Sequence, residues 1–140
     1  MTGTVEQIAI AAEESALPGT VHEVEVTNKG IAGDRYADHG DITLIEAEAL
    51  EAFTTETGIE LTHEESRRQV LTRGIRLNDL VGKRFKVGAV EVVGRELCEP
   101  CSHLQSLTRP GVLRGMVHRA GLNADVVTPG RIAVGDRVHG

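Results

Sequence analysis

Residues 82–97 read Gly82-Lys83-Arg84-Phe85-Lys86-Val87-Gly88-Ala89-Val90-Glu91-Val92-Val93-Gly94-Arg95-Glu96-Leu97. The second half of this segment is rich in β-branched residues, which favours a β-strand. Gly88-Ala89 separates it from the first half and supplies a turn. We therefore expect a β-hairpin here, and the rest of the fold is predicted around it.

Segments of the same kind lie on both sides of the hairpin. They predict short strands at residues 4–12, 20–28, 42–45, 67–75, 122–127, 131–134 and 137–138. Helical spacing is clearest at residues 46–57, which end at Gly58. Shorter helical turns are predicted after Thr62, at residues 104–107 and at residues 112–117.

Many short strands with a few brief helices indicate a mainly β fold. The expected architecture is a closed or strongly coiled antiparallel β-barrel. No repeat, linker or low-complexity segment divides the chain, so residues 1–140 are expected to form a single domain.

The composition argues against several classes of partner. The 140 residues include one Tyr, two Phe and no Trp, too few aromatic rings for single-stranded nucleic-acid binding by base stacking. The net charge of −6 has the wrong sign for a binder of the phosphate backbone. No signal peptide or membrane-spanning apolar run is recognisable. We therefore expect a cytoplasmic protein with reduced thiols that contacts neither nucleic acid nor membrane.

The charge is unevenly distributed along the chain. Residues 1–66 contain 15 acidic and 2 basic side chains, whereas residues 67–140 contain 6 acidic and 13 basic ones. An acidic first half is typical of a solvated surface. The arginines of the second half are spread among the motifs, which favours the binding of a small anionic ligand such as a phosphate.

Both cysteines lie in the segment Cys98-Glu99-Pro100-Cys101-Ser102-His103. Pro100 suits the first position of a helix, which would place Cys101 in the first turn, facing unpaired N–H groups and the positive end of the helix dipole. Both features favour the thiolate, the form that attacks electrophiles and binds metals. Cys101 is therefore the predicted site of sulfur or metal chemistry. Cys98 ends a strand and is expected to be packed or to act as a resolving thiol.

The histidines leave a zinc site open as an alternative. Cys98, Cys101, His103 and His118 supply four nitrogen and sulfur ligands, but Cys101 and His103 are closer in sequence than the usual ligand pairs. His39 and His63 lie in polar segments bordered by acidic residues, and both are expected at the surface.

Several segments, in order along the chain, resemble those of the MOSC domain family. This module occurs at the C-terminus of molybdenum cofactor sulfurases and as small stand-alone proteins. The resemblance is carried by residues 30–36 with a Gly-Asp-Arg motif, residues 67–75, residues 80–88, Pro100-Cys101 with Leu104, and the closing residues 121–126 and 129–136. Gln69 stands where the family pattern has Asn. The N-terminal desulfurase and the N-terminal β-barrel extension of the larger relatives are not found in this sequence.

The resemblance implies a barrel of MOSC type and a cysteine that carries sulfur or contacts molybdenum, which by position is Cys101. It implies further that arginines hold the cofactor's phosphate, and Arg35, Arg67, Arg68 and Arg73 are the candidates. The expected function is therefore that of a sulfur carrier or a molybdenum cofactor (molybdopterin) binding protein, and whether it is an enzyme is left open. A partner, a cysteine desulfurase or a molybdoenzyme, would supply sulfur or cofactor, and pyridoxal phosphate would be bound only by that partner. A non-enzymatic module that binds an anionic pterin or metabolite is the alternative.

Overall fold

The computed structural model describes residues 2–13, 16–35 and 37–140, so Tyr36 of the Gly-Asp-Arg segment lies outside the described residues. The strands are β1 (Thr2–Ile10), β2 (Gly19–Val21), β3 (Glu23–Thr27), β4 (Gly30–Ile31), β5 (Asp41–Glu46), β6 (Val70–Arg73), β7 (Arg84–Val87), β8 (Val90–Leu97), β9 (Leu122–Thr128), β10 (Gly130–Ala133) and β11 (Arg137–His139). The helices are α1 (Ala47–Thr57), α2 (His63–Ser66), α3 (Ser102–Leu107) and α4 (Val112–Gly115), with a 3-10 helix at Leu77–Leu80.

Seven of the strands close into a barrel. Their order around it is β5, β6, β1, β11, β7, β8 and β9, and pairing of β9 with β5 completes the ring. A closed ring leaves no unpaired strand edge within it. Strands β4, β3 and β10 extend from β5 as a side sheet, and β2 pairs with β1. The predicted mainly β fold with a closed barrel is confirmed.

Strand β5 is where the sheet departs from a purely antiparallel pattern, because it pairs in parallel with β4 and with β6. Parallel neighbours need a crossover connection, which α1 and α2 provide between β5 and β6. The register Leu44↔Val70 then places the residues just before β6 beside the first half of β5. The crossover from β5 to β6 therefore places these residues at the site described below.

The core has two parts on opposite faces of the sheet. Successive side chains of a strand point to opposite faces. Accordingly, Leu44 and Val70 belong to the barrel interior, whereas their neighbours Ile45 and Leu71 pack under the helices. The outer cluster is completed by side chains from the helices and their connections, among them Leu50, Phe53, Leu104, Val112 and Met116. Strands β5 and β6 are therefore covered on both faces.

The predictions based on turn-forming and helix-capping residues are confirmed. The hairpin forms with Val87 opposite Val90, and Gly88 takes a positive φ of 58° in the two-residue turn. Helix α1 ends at Gly58 with φ 73°, as a helix with a C-terminal glycine does. Thr62 caps α2 reciprocally with Glu65. The predicted strand 20–28 is instead two strands, because β2 pairs with β1 and β3 pairs with β10.

Within the described ranges, no helix is both long enough and apolar enough to cross a membrane.

Candidate functional site

Several of the sequence motifs meet at one cavity, which we name the arginine–cysteine cavity. Its volume is about 260 Å³. The residues that line it are His39, Asp41, Thr43, Arg67, Arg68, Gln69, Cys98 and Asn123. Small-molecule pockets usually measure roughly 300–1,000 Å³, so this cavity has room for an anionic group or one ring of a larger ligand.

Arg68 holds the cysteine segment in place at this cavity. Its guanidinium donates to the backbone carbonyl oxygens of Cys98 at 3.1 Å, Glu99 at 3.3 Å and Ala120 at 2.7 Å. A fourth bond reaches Ser66 O at 3.3 Å. All four acceptors are neutral carbonyl oxygens, so these bonds do not cancel the positive charge. These bonds use four of the five N–H donors of Arg68, so what it presents to the cavity is mainly its positive charge.

Arg67 reaches the cavity from an unusual backbone position. It ends α2 with φ 62° and ψ 20°, the left-handed region that non-glycine residues rarely occupy. Its N–H donates to Glu64 O at 3.1 Å. Such conformations persist where the surrounding structure enforces them and are enriched at functional sites. This turn allows the two consecutive arginines to face the same cavity.

Gln69 joins the two arginine-containing motifs. Its side chain is buried, and its amide donates to Asp34 Oδ2 at 2.9 Å. Its carbonyl oxygen accepts from the backbone N–H of Thr43 at 2.9 Å. Asp34 in turn accepts from Ala11 N at 2.9 Å. The glutamine thus spans the Gly-Asp-Arg segment and β5, which explains how a side chain longer than Asn is accommodated here.

Cys98, and not Cys101, is the cysteine on the cavity wall. The residue is half-buried, and its N–H donates to Gly121 O at 2.8 Å. Burial raises the pKa of the Cys98 thiol, while the positive charge of Arg68 and a hydrogen bond with Asn123 act in the opposite direction. The charges of Asp41 and Cys101 also raise it. Cys98 is therefore a neutral thiol at neutral pH, held next to a cation.

Cys101 is exposed and lies at the start of α3, outside the set of cavity-lining residues. It occupies the N-cap position, with Ser102 as the first helical residue, so it is not in the first turn as predicted from Pro100. Its sulfur accepts a weak hydrogen bond from Leu104 N at 3.5 Å. The two thiols are close enough for the charge of Cys101 to affect the pKa of Cys98.

The structure brings together two of the four predicted anion-binding arginines. Arg67 and Arg68 line the cavity, whereas Arg35 and Arg73 do not. Arg35 donates to Glu13 O at 3.2 Å near the end of β1. Arg73 lies on the surface and forms ion pairs with Glu6 at 2.8 Å and Glu51 at 2.7 Å. Arg73 is therefore part of a surface ion-pair network.

The prediction that His63 is a surface residue is wrong. Only 4% of it is exposed, and its ring bonds to Arg68 O at 2.7 Å and to the Gln7 amide at 2.9 Å. Burial lowers the pKa of His63 from its usual 6.5, although the bond with Arg68 opposes the shift. His39 is exposed, as predicted, and stands at the rim of the arginine–cysteine cavity.

The zinc alternative gains no support from the side-chain arrangement. In residues 2–13, 16–35 and 37–140, no three His, Cys, Asp or Glu side chains are grouped so that they could hold a metal ion. His118, one of the four candidate ligands, bonds instead to Glu99 through Nδ1 at 2.6 Å.

A larger groove of about 640 Å³ lies elsewhere, beside the start of α1. Each of its two glutamates accepts one backbone hydrogen bond, Glu46 from Leu77 N at 3.0 Å and Glu48 from Gly74 N at 2.8 Å. It contains no cysteine, and Arg119 at its edge pairs with Glu56 at 2.7 Å. We therefore take the smaller arginine–cysteine cavity as the candidate site.

The sequence motifs did not indicate every lining residue. Asn123 was part of a recognised segment, but nothing in its spacing marked it as a cavity residue. Thr43 and Asp41 reach the cavity because β5 pairs with both β6 and β9. Asp41 is held by Arg95 at 2.6 Å, which partly offsets its negative charge.

Comparison with known proteins places the chain in a family. The fold superimposes on the YuaD protein from Bacillus subtilis with a TM-score of 0.87 and 17% sequence identity, covering 99% of this chain and 94% of that one. YiiM from Geobacillus stearothermophilus gives a TM-score of 0.76 with 16% identity, covering 98% of this chain and 74% of that one. YiiM from Escherichia coli gives a TM-score of 0.72 with 15% identity, covering 97% and 68%.

At these identities the likeness shows the fold alone. None of the curated proteins matches the sequence. The family model of the MOSC domain matches residues 32–139, well over half of the chain. The arginine pair, the cysteine segment and the closing strands that line or frame the cavity all fall within that match, and the chain therefore belongs to the MOSC domain family.

Proposed function

We propose that this MOSC-domain protein binds an anionic ligand of the molybdopterin type in the arginine–cysteine cavity and carries sulfur on Cys101. The observation that carries the proposal is that Arg67, Arg68 and Cys98 line the same cavity. A phosphate or other oxyanion is favoured by two adjacent guanidinium groups. A soft thiol beside them favours a ligand that also has a sulfur-seeking metal.

The side chains present fit such a ligand. Arg67 and the Asn123 amide would hold its polar atoms, Arg68 would add charge, and Cys98 would contribute the soft donor. Because the cavity measures about 260 Å³, it would enclose one end of a molybdopterin and leave the other outside. When bound, a molybdenum cofactor supplies oxygen-atom and electron-transfer chemistry, whereas the chain's own residues bind and orient it.

Sulfur carriage at Cys101 is favoured by a separate observation. The Cys101 thiol is exposed, so the active site of another protein can reach it. Sulfane sulfur is delivered between proteins by attack of an accessible thiolate on a donor persulfide. A cysteine desulfurase is the partner whose chemistry matches this requirement, and it would bring its own pyridoxal phosphate.

The test of ligand binding is purification under anaerobic conditions, followed by molybdenum and pterin analysis of the same sample. We expect both above the level of a blank purification. Arg67→Gly should lower them at least tenfold, as expected for loss of a charge-assisted contact, and Arg73→Ala should not change them. Equal pterin content in the two variants would refute the assignment of the cavity.

The test of sulfur carriage is incubation with a cysteine desulfurase and L-cysteine, followed by alkylation and mass spectrometry. Persulfide should form on the wild-type chain, and its rate of formation should fall at least tenfold in Cys101→Ser. Undiminished labelling of Cys101→Ser would refute the role of Cys101.

A further inference from the structure

The two cysteines face different surroundings, one the outer surface and the other the arginine–cysteine cavity. Cys101 is exposed at the start of α3 but does not line the arginine–cysteine cavity. Cys98 is half-buried and lines it. A donor protein can therefore reach the first sulfur, while a ligand in the cavity meets the second.

The backbone holds both residues at the ends of one short connection. The N–H of Cys98 is bonded to Gly121 O, and its carbonyl oxygen accepts from Arg68. The carbonyl oxygen of Cys101 accepts from Gln105 N at 3.1 Å. Three residues span at most about 10–11 Å even when fully extended, so this length is the upper limit of the distance between the two Cα atoms.

We infer that Cys101 and Cys98 form a two-step sulfur relay, in which Cys101 receives sulfane sulfur at the surface and passes it to Cys98 inside the cavity. This inference rests on the proposed sulfur carriage and goes beyond it, because it assigns delivery to the inner thiol. It also gives a reason for the chain to hold two cysteines three residues apart.

The transfer is a thiol–persulfide exchange that needs no external oxidant or reductant. The Cys98 thiolate attacks the terminal sulfur of the Cys101 persulfide, and a new S–S bond forms as the bond between that sulfur and Cys101 Sγ breaks. Cys101 leaves as a thiolate and takes up the proton that Cys98 lost. The sum is Cys101–S–SH plus Cys98–SH giving Cys101–SH plus Cys98–S–SH.

One feature of the cavity partly offsets the cost of ionising the half-buried Cys98 thiol. The positive charge of Arg68 stabilises the attacking thiolate, which burial alone would disfavour.

The experiment is a time course of persulfide formation with a cysteine desulfurase and L-cysteine as the donor system. Samples are alkylated at intervals, and fragment-ion spectra assign the modified sulfur to Cys98 or Cys101. In the wild type we expect Cys101 to be labelled first and Cys98 to rise as Cys101 falls. Cys98→Ser should accumulate label on Cys101 alone, and Cys101→Ser should label Cys98 at least tenfold more slowly than the wild type.

Inorganic polysulfide is the matched control donor, because it is small enough to enter the cavity. Polysulfide should label Cys98 in Cys101→Ser. That result would show that the variant is folded and that Cys98 can still form a persulfide. Wild-type label confined to Cys101, or equally fast labelling of Cys98 in Cys101→Ser, would overturn the relay. Release of hydrogen sulfide with formation of a Cys98–Cys101 disulfide would also overturn it. Absence of persulfide from both cysteines of the wild type would instead refute the proposed sulfur carriage itself.

Discussion

The guanidinium of Arg68 donates a hydrogen bond to the backbone carbonyl oxygen of Cys98 at 3.1 Å, across 30 positions of the chain. This bond connects the turn after α2 with the end of β8. It fixes the inner cysteine beside a positive charge, and the same guanidinium holds the carbonyl oxygens of Glu99 and Ala120. Arg68 therefore both lines the cavity and holds the backbone around it.

Replacing Arg68 with Ala should lower the free energy of unfolding by about 2–4 kcal/mol, because several carbonyl oxygens lose a charged donor. The measurement is urea denaturation. Iodoacetamide should also modify Cys98 faster in the variant, since the segment that buries it is released. Arg73→Ala is the control, because its ion pairs are exposed and should contribute little. Unchanged stability and an unchanged rate of Cys98 alkylation would show that Arg68 does not hold the cysteine segment in place.

Replacement of Arg67 by glycine should affect ligand binding without reducing the stability of the fold. Its left-handed backbone suits glycine, so Arg67→Gly should leave the free energy of unfolding unchanged or raise it by up to about 1 kcal/mol. Urea denaturation measures this effect. A large loss of stability would mean that the arginine side chain supports the fold and would remove Arg67→Gly as a clean test of ligand binding.

The substitution Gln69→Asn tests whether the side chain at position 69 must connect the Gly-Asp-Arg segment to β5. The shorter side chain cannot reach both Asp34 and the N–H of Thr43, so at least one part-buried hydrogen bond is lost at a cost of about 1–3 kcal/mol. The free energy of unfolding should fall by that amount in chemical denaturation. A variant as stable as the wild type would show that Asn, the residue of the family pattern, serves equally well in this chain.

His63 should make stability depend on pH. Burial lowers the pKa of His63 in the folded state from its usual 6.5, so the unfolded chain binds the proton more readily. The stability that the neutral ring contributes is complete above about pH 6.5 and is lost as pH falls below that value. The loss can be at most about 1.4 kcal/mol per pH unit. His63→Gln removes the titrating group, so the wild type should lose more unfolding free energy than the variant between pH 7 and 5.5. Parallel curves would contradict this.

The sequence was most informative where a local rule acts on its own. Gly88, Gly58 and Thr62 determine a turn, a helix end and a helix start through their own backbone or side-chain chemistry, and all three predictions are confirmed. The start of α3 shows the limit of such rules. The sequence predicts Pro100 as the first helical residue, yet the helix begins two residues later at Ser102, with Cys101 as its N-cap.

The site was only partly predictable because it depends on pairing between distant segments. The arginine motif and the cysteine motif could each be recognised, but their meeting depends on the parallel register of β5 with β6. The acidic sequence around His63 predicts a surface residue, whereas its ring turns inward to Gln7 and the carbonyl oxygen of Arg68. No local pattern distinguishes Cys98 as the residue that lines the cavity.

The most direct test of the arginine–cysteine cavity is the location of molybdenum in crystals of the anaerobically purified protein. Anomalous scattering measured above and below the molybdenum absorption edge gives that position without reference to any assumed ligand. We predict a peak at the cavity bounded by Arg67, Cys98 and Asn123. A molybdenum peak in the groove beside Glu46, or at any site away from these three residues, would contradict the account.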